Sequence, residues 1–358
     1  MTDTPIDLRS DTFTKPTPEM RAAMAAAEVG DDVFDEDPSV HALQERISGM
    51  LGKEAALFVP SGTMSNQIGL RLHCQPGDEF ICETGCHIYN NEQSAHTQLS
   101  GIATRTVDGR DYVLKVDQLR GLIRANNDHL VRTKLVCMEN THNRGGGCIL
   151  PYKPLVEICE WAHENGLATH LDGSRLFNEV VASGIEAEQW ARHFDTVSIC
   201  FSKGLGAPVG SALCGTREQI KRARRHRKVF GGGMRQAGVI AAGALYALEH
   251  HVTRMADDHA NAQLIGDAVR ETEGLALMTE QVESNIVYFE VLSELGDAPT
   301  YSRALAQHGV LTLAMGPKHV RAVTHLDVSQ AQAARAAEIL NEVAADLAGG
   351  ASELATKS

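Results

Sequence analysis

Ser202-Lys203-Gly204-Leu205-Gly206-Ala207-Pro208-Val209-Gly210 follows directly on the apolar run 196–201. A run of that length and composition predicts a buried strand, and the glycines behind it predict a tight turn. Lys203 is therefore expected at the carboxyl end of a strand, where α/β sheets open their ligand crevice. A lysine desolvated in such a place is a natural Schiff-base former, because burial favours the neutral amine that attacks a carbonyl. On its own, a lysine ahead of a Gly-rich turn is more often structural. The glycines do not spell a dinucleotide fingerprint either, since three residues separate Gly206 from Gly210.

One strand-helix unit upstream, Leu171-Asp172-Gly173-Ser174-Arg175 closes the apolar run 167–171. Two consecutive strand ends thus present a carboxylate and a lysine to one crevice, which is the pair that pyridoxal 5'-phosphate (PLP) needs. The carboxylate keeps the pyridine nitrogen protonated, so that the ring accepts the electrons released when a bond to Cα breaks. Further upstream, Pro60-Ser61-Gly62-Thr63-Met64-Ser65-Asn66 lies between the apolar run 55–59 and a helical pattern. Small residues and free amides at a helix N-terminus form an anion site, as a cofactor phosphate requires. Read singly, Asp172 is equally a turn residue and Ser61 or Thr63 a helix cap. The three together select the cofactor reading.

Outward from this core, short apolar runs at 79–82, 134–138 and 211–214 alternate with helical patterns and predict a mostly parallel sheet covered on both faces. Residues 1–37, rich in Thr, Pro and Asp with a helical piece at 18–27, read as an N-terminal arm reaching the active site. Residues 38–250 read as the large PLP-binding domain, with one long helical stretch, 236–272, leading out of it. A small C-terminal α/β domain over 251–347 follows, with strands at 286–290, 310–313 and 320–324 and a helix at 329–347; 348–358 reads as a disordered tail.

The chain has 358 residues, 43% of them hydrophobic and 22% charged, which is enough for a large core and excludes disorder as the main state. Its formal net charge of -13 opposes a general attraction to nucleic acid or anionic lipid. The apolar run 239–248 is too short to span a bilayer, and the chain opens without a secretory pattern, so a cytoplasmic protein with a small-molecule substrate is expected. Eight scattered cysteines suit reduced, buried thiols. Cys82, Cys86 and His87 cluster in sequence, but lack a fourth ligand at a zinc spacing, and no metal is expected.

Eight segments in this order, Asp7-Leu8-Arg9-Ser10-Asp11-Thr12, Gly30-Asp31-Asp32-Val33, Ser61-Gly62-Thr63-Met64-Ser65-Asn66, Glu139-Asn140-Thr141-His142-Asn143, Asp172-Gly173-Ser174-Arg175, Ser202-Lys203-Gly204-Leu205-Gly206, Gly231-Gly232-Gly233-Met234-Arg235-Gln236 and Val320-Arg321-Ala322-Val323-Thr324-His325, closely resemble the L-threonine aldolase family. The resemblance spans nearly the whole chain. It implies an α/β fold of the aspartate aminotransferase-like, fold type I class, and a retro-aldol lyase that cleaves L-threonine or L-allo-threonine to glycine and an aldehyde. A β-eliminating lyase or aminotransferase on the same scaffold is the alternative, since Lys203 and Asp172 serve any reaction at Cα.

The resemblance also assigns residues. Lys203 is the aldimine lysine, with Ser202 beside it, Asp172 the pyridinium partner, and Gly62 and Thr63 phosphate ligands. Ser10, Arg175 and Arg321 surround the substrate carboxylate, and the orientation they impose decides which Cα bond breaks. His87 matches the family's ring-stacking histidine, His129 a second histidine near the substrate side chain, and His142 is a weaker candidate for the base. Lys228 and Arg235, at the end of the basic run 221–228 and beside Gly231-Gly232-Gly233, match residues that approach a neighbouring subunit's cofactor. They imply a homo-oligomer, a dimer with shared active sites assembled into a homotetramer, rather than a nucleic-acid surface. Two departures concern the substrate side chain. Phe34 stands where the family frequently has Tyr, and the polar stretch 90–98 together with the long turn 143–148 is expected to border the aldehyde half of the substrate.

Overall fold

The computed structural model describes residues 4–355. In chain order the strands are β1 (Ile6–Asp7), β2 (Ala55–Val59), β3 (Asp78–Glu83), β4 (Ala103–Val107), β5 (Arg132–Glu139), β6 (Ala168–Gly173), β7 (Thr196–Cys200), β8 (Ser211–Gly215), β9 (Leu275–Leu277), β10 (Ile286–Val291), β11 (Val310–Leu311), β12 (Leu313–Ala314) and β13 (His319–Val323). The seven-stranded sheet runs β2-β8-β7-β6-β5-β3-β4. Only β8 opposes its neighbours, pairing antiparallel with β2 and β7, while the other pairs are parallel. Because β8 alone is reversed, the last residues of β2, β3, β5, β6 and β7 and the first of β8 share one edge of the sheet. That edge carries the site.

Continuous apolar runs make these strands buried on both faces. Phe58, Ile81, Val136, Leu171, Val197 and Ala212 join Trp190 and Leu155 from the flanking helices, and Phe194 from the loop before β7, in the largest core. Each of the larger aliphatic and Phe side chains contributes about 1.5–3 kcal/mol on leaving water. The helices start where side chains cap them: Thr17 accepts from Met20 N ahead of Pro18–Ala25, Asp37 from Val40 N ahead of Pro38–Met50, and Ser61 from Met64 N ahead of Gly62–His73. β4 escapes the apolar pattern because it is a half-buried edge strand, Ala-Thr-Arg-Thr-Val, that needs little greasy surface.

A second core joins β9, β10 and β13 to the helices Met255–Glu271, Ala298–Gln307 and Gln330–Ala355. The arm ties into it: β1 pairs in parallel with β11, and Val323 N donates to Leu8 O at 2.8 Å. The helical stretch expected over 236–272 is two helices, Gly238–His250 and Met255–Glu271. The break places His251, whose Nδ1 lies 2.7 Å from the carbonyl of Leu205 in the turn after β7. The backbone of 348–355, expected as a tail, continues the last helix. The remainder of that expected tail, 356–358, and the first three residues of the arm lie outside the described residues.

Candidate active site

Lys203 leaves β7 in a turn whose shape glycine permits. Gly210 has φ +114, and a Cβ there would sit 2.4 Å from the Phe58 ring, so no other residue fits. The arm reaches the same turn, where Thr14 Oγ1 donates to Lys203 O at 3.1 Å. Ser202 beside it is half-buried, with its hydroxyl 3.4 Å from Cys200 Sγ.

Asp172 ends β6 one strand away and is buried. Ser174 N and Oγ donate to Oδ1 at 3.1 and 2.6 Å, and Asn66 Nδ2 donates to Oδ2 at 2.8 Å. Burial alone would raise its pKa, but the charges of His87 and Lys203 and these hydrogen bonds outweigh it, so the carboxylate is held below its usual range. The next group along is Glu92, fully buried, which accepts from Asn66 Nδ2 (2.8 Å) and Gln67 Nε2 (2.7 Å) and faces His87 Nδ1 at 3.0 Å. Burial works against a charge on His87, yet the Glu92 hydrogen bond and the Asp172 and Glu92 charges raise its pKa above the usual value. His87 is further fixed by its backbone N–H, 2.5 Å from Glu139 Oε2 at the end of β5.

Gly62 and Thr63 open the helix that follows β2, both half-buried. A Cβ on Gly62 would lie 3.6 Å from Ser211 Oγ and 3.8 Å from Ser174 Oγ. The Ser211 hydroxyl is buried and has no partner among the described residues. A helix N-terminus lined by serines, one of them unsatisfied, is a site for a strong acceptor such as a phosphate.

The corner expected to hold the substrate carboxylate differs from the sequence expectation in one respect. Arg175 is buried and its fork is already taken: Nε and Nη2 donate to Asp11 Oδ2 and Oδ1, both at 2.8 Å. Burial works against the Asp11 charge, but the Arg175 guanidinium holds that carboxyl far below the usual range. Arg175 therefore anchors the arm, and only Nη1 turns outward, 3.3 Å from Asn143 Oδ1. Arg321, on β13, aims Nη1 at the same Asn143 oxygen at 3.1 Å, and its Nε is buried without a partner. Burial, with the Arg175 charge nearby, lowers the Arg321 pKa, as expected for a cation short of an anion. Ser10 lies alongside on the arm, buried, with its Oγ accepting from Thr12 Oγ1 at 3.0 Å.

His129 is not brought to this site by its own chain. It is exposed in the loop before Arg132, the first residue of β5, and parallel β5 places that end at the edge of the sheet opposite to Glu139 and Asp172. His142 is buried with both ring nitrogens engaged: Nδ1 accepts from Gly145 N (3.1 Å), and Nε2 faces Glu83 Oε2 (3.1 Å) with Cys86 Sγ at 3.9 Å. Cys86 thus groups with Glu83 and His142, not with His87. Lys228 and Arg235 are exposed; Arg235 pairs with Asp31 at 3.0 Å, and neither is hydrogen-bonded to Ser61, Gly62 or Thr63. Elsewhere in the basic run, Arg224 and Arg227 pair with Asp35 (2.9 Å) and Asp32 (2.8 Å), which accounts for the acidic loop 31–35. From the polar stretch 90–98, Glu92 turns inward to Asn66 and His87.

Several site residues carried no assignment from the sequence: Asp11, Asn66, Glu92, Glu139, Asn143 and Ser211. Most sit inside or beside quoted motifs, and a polar residue directly next to an apolar run was the available signal. What each one touches depends on the fold.

The residues 7–291 match the family model described as "Beta-eliminating lyase". The low specificity L-threonine aldolase of Escherichia coli K12 is 43% identical over 333 residues, covering 93% of this chain and 97% of that protein. A probable low-specificity L-threonine aldolase of Arabidopsis thaliana is 40% identical over 329 residues, 90% of this chain and 93% of that one. Among solved structures, the threonine aldolase of Leishmania major superposes with a TM-score of 0.82 at 20% identity, covering 95% of this chain and all of that one (100%).

Proposed function

From the premise that the chain belongs to the L-threonine aldolase family, within the beta-eliminating lyases, and carries an aminotransferase-like fold of type I, we propose that it is a PLP-dependent lyase cleaving L-threonine, L-allo-threonine and related L-β-hydroxy-α-amino acids to glycine and an aldehyde. The observation that carries this reading is the meeting, on one sheet edge, of Lys203, the buried anion Asp172 and the Ser211-lined helix N-terminus at Gly62. The unpartnered Ser211 hydroxyl and the cradle at Gly62 suit a phosphate, so the residues fit the cofactor.

Bound there, PLP supplies an electron sink for the pair released at Cα. Lys203 is the amine that attaches it covalently. Asp172 holds the proton on its pyridine nitrogen, and backbone N–H groups at Gly62 and Thr63 with Ser211 hold its phosphate. Arg321, with Ser10 and the Asn143 amide, binds and orients the substrate carboxylate, while Arg175 keeps that corner in place through Asp11. His87, whose Nδ1 faces Glu92, suits stacking on the ring, and with the proton on Nδ1 its Nε2 is the atom able to take the β-hydroxyl proton as the Cα–Cβ bond breaks.

The remaining parts of the proposal require a second copy of the chain. In a homo-oligomer, a dimer with shared sites or the tetramer built from it, His129 of a neighbouring subunit would act at the substrate side chain, and Lys228 and Arg235 would reach its phosphate. A cytoplasmic location suits this chemistry. Among the described residues no helix is long and apolar enough to cross a membrane. The test is product analysis on L-threonine, L-allo-threonine, L-serine and phenylserine with the PLP-loaded protein. Glycine and acetaldehyde are expected from the first two, and Lys203→Ala should lose both turnover and the borohydride-reducible link to PLP. Pyruvate and ammonia, or transfer of the amino group to a keto acid, would overturn the aldol assignment.

A further inference from the structure

Asp172 and Glu92 are a costly pair: both are buried, and with His87 they bring their polar atoms within 4.8 Å of one another. Two carboxylates so close do not both stay ionised unless donors stand between them. Besides His87, one neutral side chain bridges them. Asn66, buried on the second turn of the helix Gly62–His73, gives its Nδ2 to Asp172 Oδ2 and to Glu92 Oε1, each at 2.8 Å. An amide nitrogen carries two protons, and each carboxylate takes one.

That arrangement holds only while the amide keeps its nitrogen towards the carboxylates, and the far side of Asn66 fixes this. Asn66 Oδ1 lies 3.2 Å from His170 Nε2, in the middle of β6, so His170 must carry its proton on Nε2. His170 Nδ1 is then an acceptor, and Thr196 Oγ1, 2.8 Å away on β7, must donate to it. The Thr196 oxygen in turn accepts a hydrogen bond from His73 Nε2 at 3.0 Å. The hydrogen bonds from His73 through Thr196, His170 and Asn66 to the two carboxylates therefore have one consistent direction. It requires His170 neutral, and burial pushes its pKa down to about 4. The ring of His170 is held where it is by a missing atom: a Cβ on Gly69 would lie 2.6 Å from His170 Cε1.

We propose that Asn66, oriented by His170, is a positioning residue that keeps Asp172 and Glu92 separately ionised, so that Asp172 serves the pyridine nitrogen of the cofactor while Glu92 serves His87. The proposal rests on the PLP reading of the site. It assigns His170 and Thr196 a role in the chemistry although neither touches cofactor or substrate. Replacing His170 by Phe keeps a ring but removes the donor that orients the amide; replacing it by Gln supplies an N–H that can reach the same oxygen.

The experiment compares wild type with Asn66→Ala, His170→Phe and His170→Gln, each checked for folding by circular dichroism and loaded with PLP labelled with 15N in its ring. In wild type the label should report a protonated pyridine nitrogen, and borohydride should fix the cofactor to Lys203. Asn66→Ala should shift the label towards the unprotonated form, raise the PLP dissociation constant and lower kcat, both by at least about tenfold, the scale of a hydrogen bond to a charged group. KM for L-threonine should stay within about threefold, because the Arg321 corner is untouched. His170→Phe should move the label and kcat in the same direction by less, and His170→Gln should recover most of the loss. Wild-type label position and kcat in Asn66→Ala, or His170→Gln no better than His170→Phe, would overturn the proposal while leaving the PLP reading standing. If Asn66→Ala does not fold, the His170 pair decides alone. A wild-type protein that takes up no PLP would overturn both.

Discussion

Two regions of this site handle buried charge in different ways. The wall around Asp172 is built by neighbouring strand ends and one helix, and its carboxylates are matched by Ser174, Asn66, Gln67 and His87. The corner around Arg321 is gathered from the arm, the turn after β5, the start of the helix after β6, and β13. Its two guanidiniums have one carboxylate, Asp11, and share one amide oxygen, Asn143. The wall is nearly complete in its own hydrogen bonds and is suited to hold a permanent group. The corner keeps a cation short of an anion, so it is suited to take an anion and let it go.

The contrast breaks most severely at Asp11. Asp11→Ala leaves Arg175 buried and unpaired, which costs about 3–5 kcal/mol and should lower Tm by roughly 10 °C. Because the folded pKa of Asp11 is depressed, its contribution is fully present above the unfolded carboxylate value near 4 and fades as pH falls below that. The Tm difference between wild type and variant should thus be flat above about pH 5 and shrink in acid; a difference that grows in acid would refute the pairing.

Arg321→Ala is the next largest change. It removes the free cation without unpairing another charge, so kcat/KM for L-threonine should fall by about 2–5 kcal/mol, roughly 30- to 5,000-fold, with PLP still bound. Unchanged kinetics would place the carboxylate elsewhere. On the opposite wall, Ser211→Ala should weaken PLP binding by about 1.5–3 kcal/mol, or roughly 10- to 150-fold, if its unpartnered hydroxyl donates to the phosphate. Equilibrium titration of PLP into the apoprotein reads this directly.

The last effect concerns Glu179, on the helix after Arg175, a buried carboxyl with no cation paired to it among the described residues, whose pKa burial raises to about 8. Between its ordinary value near 4.5 and about 8, the folded protein holds a proton that the unfolded chain has released, so stability falls as pH rises. Glu179→Gln should match wild type at pH 4 and have the higher Tm at pH 8. Equal Tm values at both pH would mean that Glu179 has found a cation, and would erase its contrast with Asp172 and Asp11.

Much of the wall was legible in the chain because it is local. Lys203, Asp172 and Gly62 each follow an apolar run that had to become a strand, and strand ends in an α/β sheet converge whatever the details of packing. The corner was less legible. Ser10, Arg175 and Arg321 were identified by resemblance, but nothing local shows that Asp11 consumes the Arg175 fork, because the pair is joined across 164 residues of sequence. The place of His129 was illegible for a related reason: a motif gives order along the chain, whereas the direction of β5 decides at which edge of the sheet its flanking loop emerges.

By itself, then, the sequence determined which residue types stand at strand ends and helix starts, since hydrophobic period and turn chemistry act over a few residues. Only the tertiary structure decided which charges meet. Asn66 between two carboxylates, Asp11 beneath Arg175 and the bare Ser211 hydroxyl facing Gly62 depend on register between strands and on the passage of the arm to β11, and Coulomb and hydrogen-bond energies fall off within a few ångströms.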